Sequence, residues 1–312
     1  MSKILLTGGS GFIGKKLLQN HLFKEALAIG RTNPGKGIKF IKVQLTEYTD
    51  YSELLSDIDV IVHLAGRAHV INDKDQDALD EYIKINTLAT LNLARQAMQS
   101  GVKRFVFISS VKVLGDNTEV GKPFISSDPL NPKNSYSISK AKAEVDLIKL
   151  CRNSSMDFVI VRPPLVYGPN VKGNFKTLLQ LVKMRVPLPF GAVKNKRSMI
   201  SINNLIDFIC VCLTAEKAKN KIFLVSDDFD LSIKELLDML SKSKNYKSLV
   251  FRFPLNLLKL TFFIIAKSKI YEKLCLPMQV DITETKTHLN WKPPFSIQES
   301  LNELWRKDHK EV

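Results

Sequence analysis

Short apolar runs alternate with longer amphipathic stretches through the first half of the chain, and this alternation predicts its secondary structure. The apolar runs predict strands at Lys3–Thr7, Leu27–Ile29, Ile38–Val43, Val60–Ala65, Phe105–Ser109 and Phe158–Val161. The stretches between them predict helices at Phe12–Phe23, Tyr51–Ser56, Leu79–Gln99 and Ser135–Asn153. Because the runs are continuously apolar, both faces of each strand should be covered, as in a parallel sheet. The pattern therefore predicts βαβ units in a doubly wound α/β fold of the Rossmann type.

After Tyr167 the elements are shorter and proline residues interrupt them, which indicates a smaller second lobe. This half predicts a strand at Lys221–Val225 and helices at Asn174–Met184, Asn203–Ala215, Ile233–Ser241 and Leu255–Ala266. We expect residues 1–166 to form a dinucleotide-binding domain to which residues 203–226 return. Residues 167–202 and 227–312 should form a C-terminal α/β substrate-binding lobe.

The composition excludes several classes of protein. The 312 residues carry a formal net charge of +15, but the basic residues are scattered and show no nucleic-acid motif, so we expect an anionic small ligand such as a diphosphate and no nucleic acid. The four cysteines lack metal-ligand spacing, so we predict reduced thiols and no metal site. A strand begins within a few residues of the N-terminus, leaving no room for a signal peptide, which favours the cytoplasm.

The longest apolar stretch, Leu255–Ala266, contains Asn256 and Lys259 and is too short to span a bilayer. No integral membrane segment is therefore expected. The preferred interpretation is an amphipathic helix packed on the core. The alternative is a helix that lies on a membrane surface, which would give the protein a peripheral membrane contact.

A glycine-rich turn follows the first predicted strand and opens the first predicted helix. Gly8 permits the tight turn, Gly11 lets the backbone approach a pyrophosphate, and Gly14 lets the helix close on the strand. Phe12 and Ile13 lie in the helix N-terminus, whose free N–H groups attract phosphate. Glycines also form plain turns, but the strand–turn–helix context predicts a dinucleotide site here.

The end of the second predicted strand bears on which dinucleotide binds. An NAD site usually has an acidic residue there, whereas this chain has Arg31. A guanidinium can pair with a 2′-phosphate, so NADP(H) is favoured over NAD(H). An exposed loop arginine without such a role is the alternative.

Tyr136 and Lys140 lie four residues apart at the start of a predicted helix, so their side chains share one face. A nearby ammonium lowers the pKa of a phenol, which would let Tyr136 exchange a proton with a substrate oxygen. The strand Phe105–Ser109 leads into Ser110, whose hydroxyl would bind the same oxygen. A surface Tyr–Lys pair and a merely polar strand end are the alternatives.

The glycine turn, Ser110, Tyr136–Lys140 and the segment Arg162–Pro169 together resemble the extended short-chain dehydrogenase/reductases, the NAD-dependent epimerase/dehydratase family of sugar-nucleotide enzymes. The resemblance covers nearly the whole chain. It implies that Ser110, Tyr136 and Lys140 are catalytic and that Asn86 is the family's helix asparagine. It further implies cofactor contacts from Leu64, Ala65, Gly66, Tyr136, Lys140 and Pro163, and substrate contacts from Ser110, Asn174 and Arg197.

More narrowly, Ser109–Val113, Asn174–Phe175 and Asn195–Ser201 resemble bacterial enzymes that reduce the C4 ketone of UDP-2-acetamido-2,6-dideoxyhexoses for surface polysaccharides. Dehydratases carry an acidic pair where this chain has Val111 and Lys112, so dehydration is disfavoured. The resemblance also places His69 at the substrate cleft. We leave His69 out of the catalytic set, because a lone histidine after a strand is more often structural.

The leading hypothesis is therefore a 4-ketoreductase that uses NADP(H) or NAD(H) and a UDP-linked sugar. The alternative is a UDP-hexose 4-epimerase with tightly bound NAD. Less favoured are a non-catalytic nucleotide sensor or assembly protein and a membrane-associated steroid-type dehydrogenase. The predicted helices Leu79–Gln99 and Ser135–Asn153 match the family's dimer bundle, which implies a homodimer.

Overall fold

The computed structural model describes residues 2–68 and 76–305. The described residues form the strands β1 (Ile4–Thr7), β2 (Leu27–Gly30), β3 (Phe40–Lys42), β4 (Val60–His63), β5 (Arg104–Ile108), β6 (Asp157–Arg162), β7 (Leu165–Tyr167), β8 (Met199–Ser201) and β9 (Lys221–Leu224). Seven of these strands form one parallel sheet in the order β3-β2-β1-β4-β5-β6-β9. The order reverses between β1 and β4, and sheets of this kind bind ligands at such a reversal. The predicted doubly wound α/β fold is confirmed.

Helices cover the sheet and build the second half of the chain. They are α1 (Phe12–Leu17), α2 (Ser52–Leu55), α3 (Gln76–Ile83), α4 (Ala89–Gln99), α5 (Ser135–Cys151), α6 (Asn174–Lys183), α7 (Ile202–Thr214), α8 (Ile233–Ser243), α9 (Leu255–Ile264), α10 (Ser268–Cys275), α11 (Thr283–Leu289) and α12 (Ile297–Glu303). A π-helical turn, Lys84–Leu88, connects α3 to α4.

The two faces of the large sheet pack into separate apolar cores, which explains why its strands are apolar without alternation. Leu6 and Val106 lie in the core on one face, with residues of α7. Leu5 and Phe105 lie in the core on the other face, with residues of α4 and α5. Successive residues of a strand point to opposite faces, so both sets must be apolar.

A third apolar core lies outside the sheet and connects the small two-stranded sheet β7–β8 to α6, α8 and α12. A buried polar contact joins this part to the segment that follows β9, because the Tyr167 hydroxyl donates to an Asp227 carboxylate oxygen at 2.7 Å. The same carboxylate accepts the Ser201 N–H at 2.9 Å and an N–H of the Asn204 side chain at 2.7 Å. Strand β9 pairs with β6 in the large sheet. The division into two domains at the boundaries given above stays a prediction.

Two predicted helices differ from the observed elements. The helix predicted over Phe12–Phe23 is α1, which ends at Leu17, followed by a separate 3₁₀ turn at His21–Phe23. Asn20 separates them, because its backbone is extended and its side chain accepts the Leu22 N–H at 3.0 Å. The single helix predicted over Leu79–Gln99 is divided by the π-helical turn, and such turns occur frequently at functional sites.

The helix predicted over Leu255–Ala266 is observed as α9, and it packs on the core through one side, where Leu258 and Phe262 contact the apolar core outside the sheet. Only Leu258 is fully buried within α9. Leu257 and Leu260 are each 50% exposed, and Phe263 and Ile264 are each 71% exposed. Among the residues that the structure describes, no helix is both long enough and apolar enough to cross a bilayer.

Candidate active site

The glycine turn between β1 and α1 is folded so tightly that side chains are excluded from it. A Cβ atom on Gly14 would lie 2.3 Å from the Gly8 carbonyl oxygen, and one on Gly8 would lie 2.7 Å from the Ala65 nitrogen. Gly8 also has a φ of +74°, which only glycine adopts at little cost. No side chain caps α1, whose first N–H groups lack intrahelical acceptors. The predicted residues Gly8, Gly14 and Ala65 are therefore brought together at the reversal of the sheet.

A chain of buried hydrogen bonds, which the sequence analysis did not anticipate, fixes the end of β4 beside this turn. The Thr90 hydroxyl donates to the Asn86 carbonyl at 2.8 Å, so its oxygen accepts from His63 Nε2 at 2.9 Å. His63 Nδ1 then accepts from the Thr7 hydroxyl at 2.9 Å, and the Thr7 oxygen accepts the Ala65 N–H at 3.1 Å. The chain of bonds assigns His63 as the neutral Nε2–H tautomer. In the sequence, the only sign of these hydrogen bonds was a histidine at the end of a predicted buried strand.

Burial, together with the charge of Lys140, lowers the pKa of His63 to about 3. The unfolded chain protonates this histidine below about pH 6.5, whereas the folded chain excludes the proton, so stability is lost as the pH falls from about 6.5 towards 3. At pH 5.5 we expect a loss of about 1.4 kcal/mol from this group, measured by urea unfolding against pH 7.5. The variant His63→Gln should lose this part of the pH dependence. The exposed-site control His21→Gln should keep it, and an unchanged slope in His63→Gln would contradict the assignment.

Asn86, in the π-helical turn, fixes the backbone that follows β4. Its side-chain oxygen accepts the Arg67 N–H at 2.7 Å, while its amide donates to the Arg67 carbonyl at 3.1 Å and to the Ser139 hydroxyl at 2.9 Å. Gly66 is held so close that a Cβ there would lie 3.0 Å from the Asn86 oxygen and 3.3 Å from Lys140 Nζ. Asn86 therefore positions the Gly66 segment against α5.

Tyr136 lies in the first turn of α5, which begins with a capping box formed by Asn134 and Ser137. Ser110 lies beside the Tyr136 phenol, close enough to lower its pKa, so two predicted catalytic residues are brought together. The Tyr82 ring packs edge-on against the Tyr136 ring, with centroids 6.3 Å apart. Burial raises the pKa of Tyr136 to about 12, against the lowering effect of Ser110. The phenol is therefore protonated at neutral pH, unlike the low-pKa phenol expected from the sequence.

Lys140 lies one turn further along α5, and its side chain is buried against the carboxyl end of β5. Its Nζ donates to the Ile108 carbonyl at 3.0 Å and lies 4.5 Å from the centre of the Phe107 ring. Burial lowers the pKa of Lys140 to about 8, and the charge of Glu144 opposes this shift. Glu144 is itself buried and pairs with Arg162 at 2.7 Å. Burial of this kind is expected for a lysine whose ammonium acts inside a site rather than at the surface.

Cationic side chains converge at a second point, beyond Ser110. Arg197 is held by a hydrogen bond from its guanidinium to the Leu276 carbonyl at 2.7 Å, and burial lowers its pKa to about 10. The pKa of Lys112 is lowered by burial and, after the opposing effect of Asp116, by the charges of Lys273 and Arg197. Lys112 and Lys273 were not predicted as site residues, and their separation in sequence gives no signal of this grouping. Such a group of cations is suited to a diphosphate.

The remaining predicted residues have different environments. Arg31 is exposed directly after β2, and Asn174 is exposed in the first turn of α6. Pro163 is buried, and its carbonyl accepts the Val111 N–H at 3.0 Å. Phe12 packs against two of the apolar cores. His69 lies outside the described residues.

A glycine turn at the reversal of a parallel sheet, with a tyrosine and a lysine on a helix beside it, defines a Rossmann enzyme of the short-chain dehydrogenase type. Residues 4–226 match the NAD dependent epimerase/dehydratase family, and the chain belongs to that family. The cofactor of this family is NAD, and the narrow glycine turn with its uncapped helix fits a dinucleotide.

Known relatives agree with this placement. The chain is 42% identical to a UDP-glucose 4-epimerase of Vibrio cholerae over 306 residues, which are 96% of this chain and 93% of that one. It is 25% identical to the N-acetyl-α-D-glucosaminyl-diphospho-ditrans,octacis-undecaprenol 4-epimerase of Escherichia coli O157:H7, over 96% of this chain and 93% of that one. Among solved structures, UDP-glucuronic acid 4-epimerase of Bacillus cereus in complex with NAD superposes with a TM-score of 0.75 at 22% identity, covering 96% of each chain.

Proposed function

We propose that this protein is a 4-epimerase that inverts the configuration at C4 of a hexose linked to UDP. The observation that carries the proposal is the contact between Ser110 and the Tyr136 phenol, one helical turn from the buried Lys140. The similarity to a UDP-glucose 4-epimerase over almost the whole chain supports this reaction over the 4-ketone reduction that the sequence motifs favoured.

The cofactor, when bound, supplies a hydride acceptor and donor for C4 of the sugar. The residues of this chain manage the proton. As a phenolate, Tyr136 accepts the proton of the 4-hydroxyl as a ketone forms, and it returns the proton after the ketone has been presented on its other face. Because burial raises the pKa of Tyr136 to about 12, forming this phenolate requires additional positive charge near the phenol. Ser110 orients the phenol and the sugar oxygen, and Lys140 supplies a cation beside the site.

The group formed by Lys112, Arg197 and Lys273 is proposed to hold the diphosphate of the substrate. Arginine forms bidentate contacts with phosphate, and Lys112 and Lys273 add positive charge, which Asp116 beside Lys112 partly offsets. A diphosphate is common to nucleotide-linked sugars and to the polyprenol-linked sugar in the name of the E. coli relative. We propose the UDP-linked form, because the relative with the higher identity is a UDP-glucose 4-epimerase.

The second candidate is reduction of a 4-keto UDP-sugar by the same residues. It is favoured by the resemblance of Ser109–Val113, Asn174–Phe175 and Asn195–Ser201 to enzymes that carry out this reduction. In this reaction Tyr136 would donate the proton to the ketone oxygen, and the raised pKa of Tyr136 suits a proton donor. Two earlier expectations also stay proposals. These are the use of NADP(H), which Arg31 favours, and the homodimer.

Cofactor turnover distinguishes the two reactions. As an epimerase, the purified protein should interconvert UDP-glucose and UDP-galactose, or their 2-acetamido forms, with no net oxidation of added NADH or NADPH. As a reductase, it should oxidise one equivalent of reduced cofactor for each 4-keto UDP-sugar consumed and leave the UDP-hexoses unchanged. The second result would replace the epimerase proposal by the reductase. If the protein shows neither activity, both proposals are rejected.

A further inference from the structure

Helix α9 carries apolar side chains on two sides, although it lies at the protein surface. Leu258 and Phe262, spaced i and i+4, face the core. Leu257, Leu260 and Ile264, spaced i, i+3 and i+7, form a second apolar stripe on roughly the opposite side. A surface helix normally has one apolar face, which packs on the core, so a second apolar stripe is expected to be covered by protein or lipid. No described residue buries this second stripe, as the exposed fractions above show.

Basic residues surround the apolar stripe. Residues 255–272 contain Lys259, Lys267 and Lys269, with Glu272 as the one acidic residue of that segment. All three lysines are exposed. The exposed Phe263 and Ile264 therefore lie between cations. This combination of an apolar stripe with flanking lysines is complementary to an anionic lipid surface, since lysines contact headgroups while apolar side chains enter the acyl boundary.

A groove of about 580 Å³ separates α9 from α10 and continues the apolar surface inward. Leu260 and Phe263 line it on one side, and Tyr271 and Leu276 line it on the other. The Leu276 carbonyl accepts from the Arg197 guanidinium, so the groove ends beside the proposed diphosphate group. The apolar surface is thus structurally continuous with the segment that carries Arg197.

We propose that α9 and its flanking lysines form a docking surface for anionic lipid bilayers, with Leu257, Leu260, Phe263 and Ile264 entering the interface. Leu258 and Phe262 of α9 pack on the apolar core outside the large sheet, whereas α4 and α5, which belong to the predicted dimer bundle, pack on one face of that sheet. Dimerisation through that bundle would therefore leave α9 accessible. With the diphosphate held at Arg197, which rests on the proposed function, docking of this kind would place the substrate next to the membrane.

Flotation with vesicles tests the proposal without reference to activity. The full chain should float with vesicles of phosphatidylglycerol and phosphatidylcholine. It should bind vesicles of phosphatidylcholine alone much more weakly, because the lysines then lose their counter-charge. Binding to the anionic vesicles should weaken in about 0.5 M salt, where the charge attraction is screened. If the chain stays in the soluble fraction with both the anionic and the phosphatidylcholine vesicles, the proposal is overturned.

Surface variants identify the side chains responsible. The double variant Phe263→Ser with Ile264→Ser should bind anionic vesicles at least about tenfold more weakly, and Lys267→Gln with Lys269→Gln should lose about fivefold per lysine. The matched control removes exposed apolar groups elsewhere, Tyr48→Ser with Val120→Ser, which are 87% and 88% exposed, and should bind like the original protein. If α9 instead joins two copies, gel filtration will show a larger assembly for the original protein than for the α9 double variant, with no vesicle binding, and the proposal is then wrong.

Discussion

Tyr136→Phe is expected to lower kcat by about 10²–10⁴-fold, the range that a positioned proton donor or acceptor contributes. The variant lacks only the phenol oxygen that Ser110 contacts, and the ring can keep its edge-on packing against Tyr82. The fold and the binding of the cofactor should therefore persist. The measurement is the initial rate of UDP-hexose interconversion, with cofactor content determined separately by absorbance after denaturation.

The matched control for this prediction is Tyr48→Phe, which removes the same oxygen from an exposed tyrosine and should leave the rate unchanged. Ser110→Ala should have a smaller effect than Tyr136→Phe, because it removes a partner of the phenol and leaves the proton carrier itself in place. A fully active Tyr136→Phe variant would contradict the role assigned to the phenol, whichever of the two reactions the enzyme carries out.

Sequence patterns predicted the part of this site that is local along the chain. Gly8 and Gly14 are six residues apart, and Tyr136 and Lys140 are one helical turn apart, so spacing alone defines their relation. The apolar runs likewise predicted the parallel sheet, because burial on both faces leaves no alternation. Ser110 required one more inference, that parallel strands bring their carboxyl ends to the same edge.

Long-range electrostatics and packing could not be predicted in this way. The ammonium of Lys140 was expected to lower the pKa of Tyr136, but it contacts the Ile108 carbonyl, and burial of the phenol dominates. Lys112 and Lys273 are far apart in sequence, and only the fold brings their charges together. For α9, the apolar composition predicted a helix correctly, but composition does not say whether protein or solvent lies on each side.

Gly14→Ala is the second large effect that we expect, and it should destroy both the dinucleotide site and the packing of α1. The added Cβ would lie 2.3 Å from the Gly8 oxygen and 2.7 Å from Gly9 Cα, both of which are backbone atoms that no rotamer change can move. The helix must therefore shift away from β1, at a cost of at least about 1–3 kcal/mol, as for other overpacked sites. Urea unfolding and the bound cofactor content of the purified protein measure the two consequences.

Two further substitutions separate the fold from the cofactor site. Lys15→Ala introduces the same residue at the next, exposed position of α1 and should change neither quantity. Gly11→Ala meets only the Gly8 oxygen, at 3.2 Å, so the fold should tolerate it. A methyl group there would still keep a pyrophosphate away from the backbone, so the cofactor content should fall while stability is retained. If Gly11→Ala binds the dinucleotide normally, the close approach assigned to Gly11 is wrong, although the tight turn at Gly8 and Gly14 would stand.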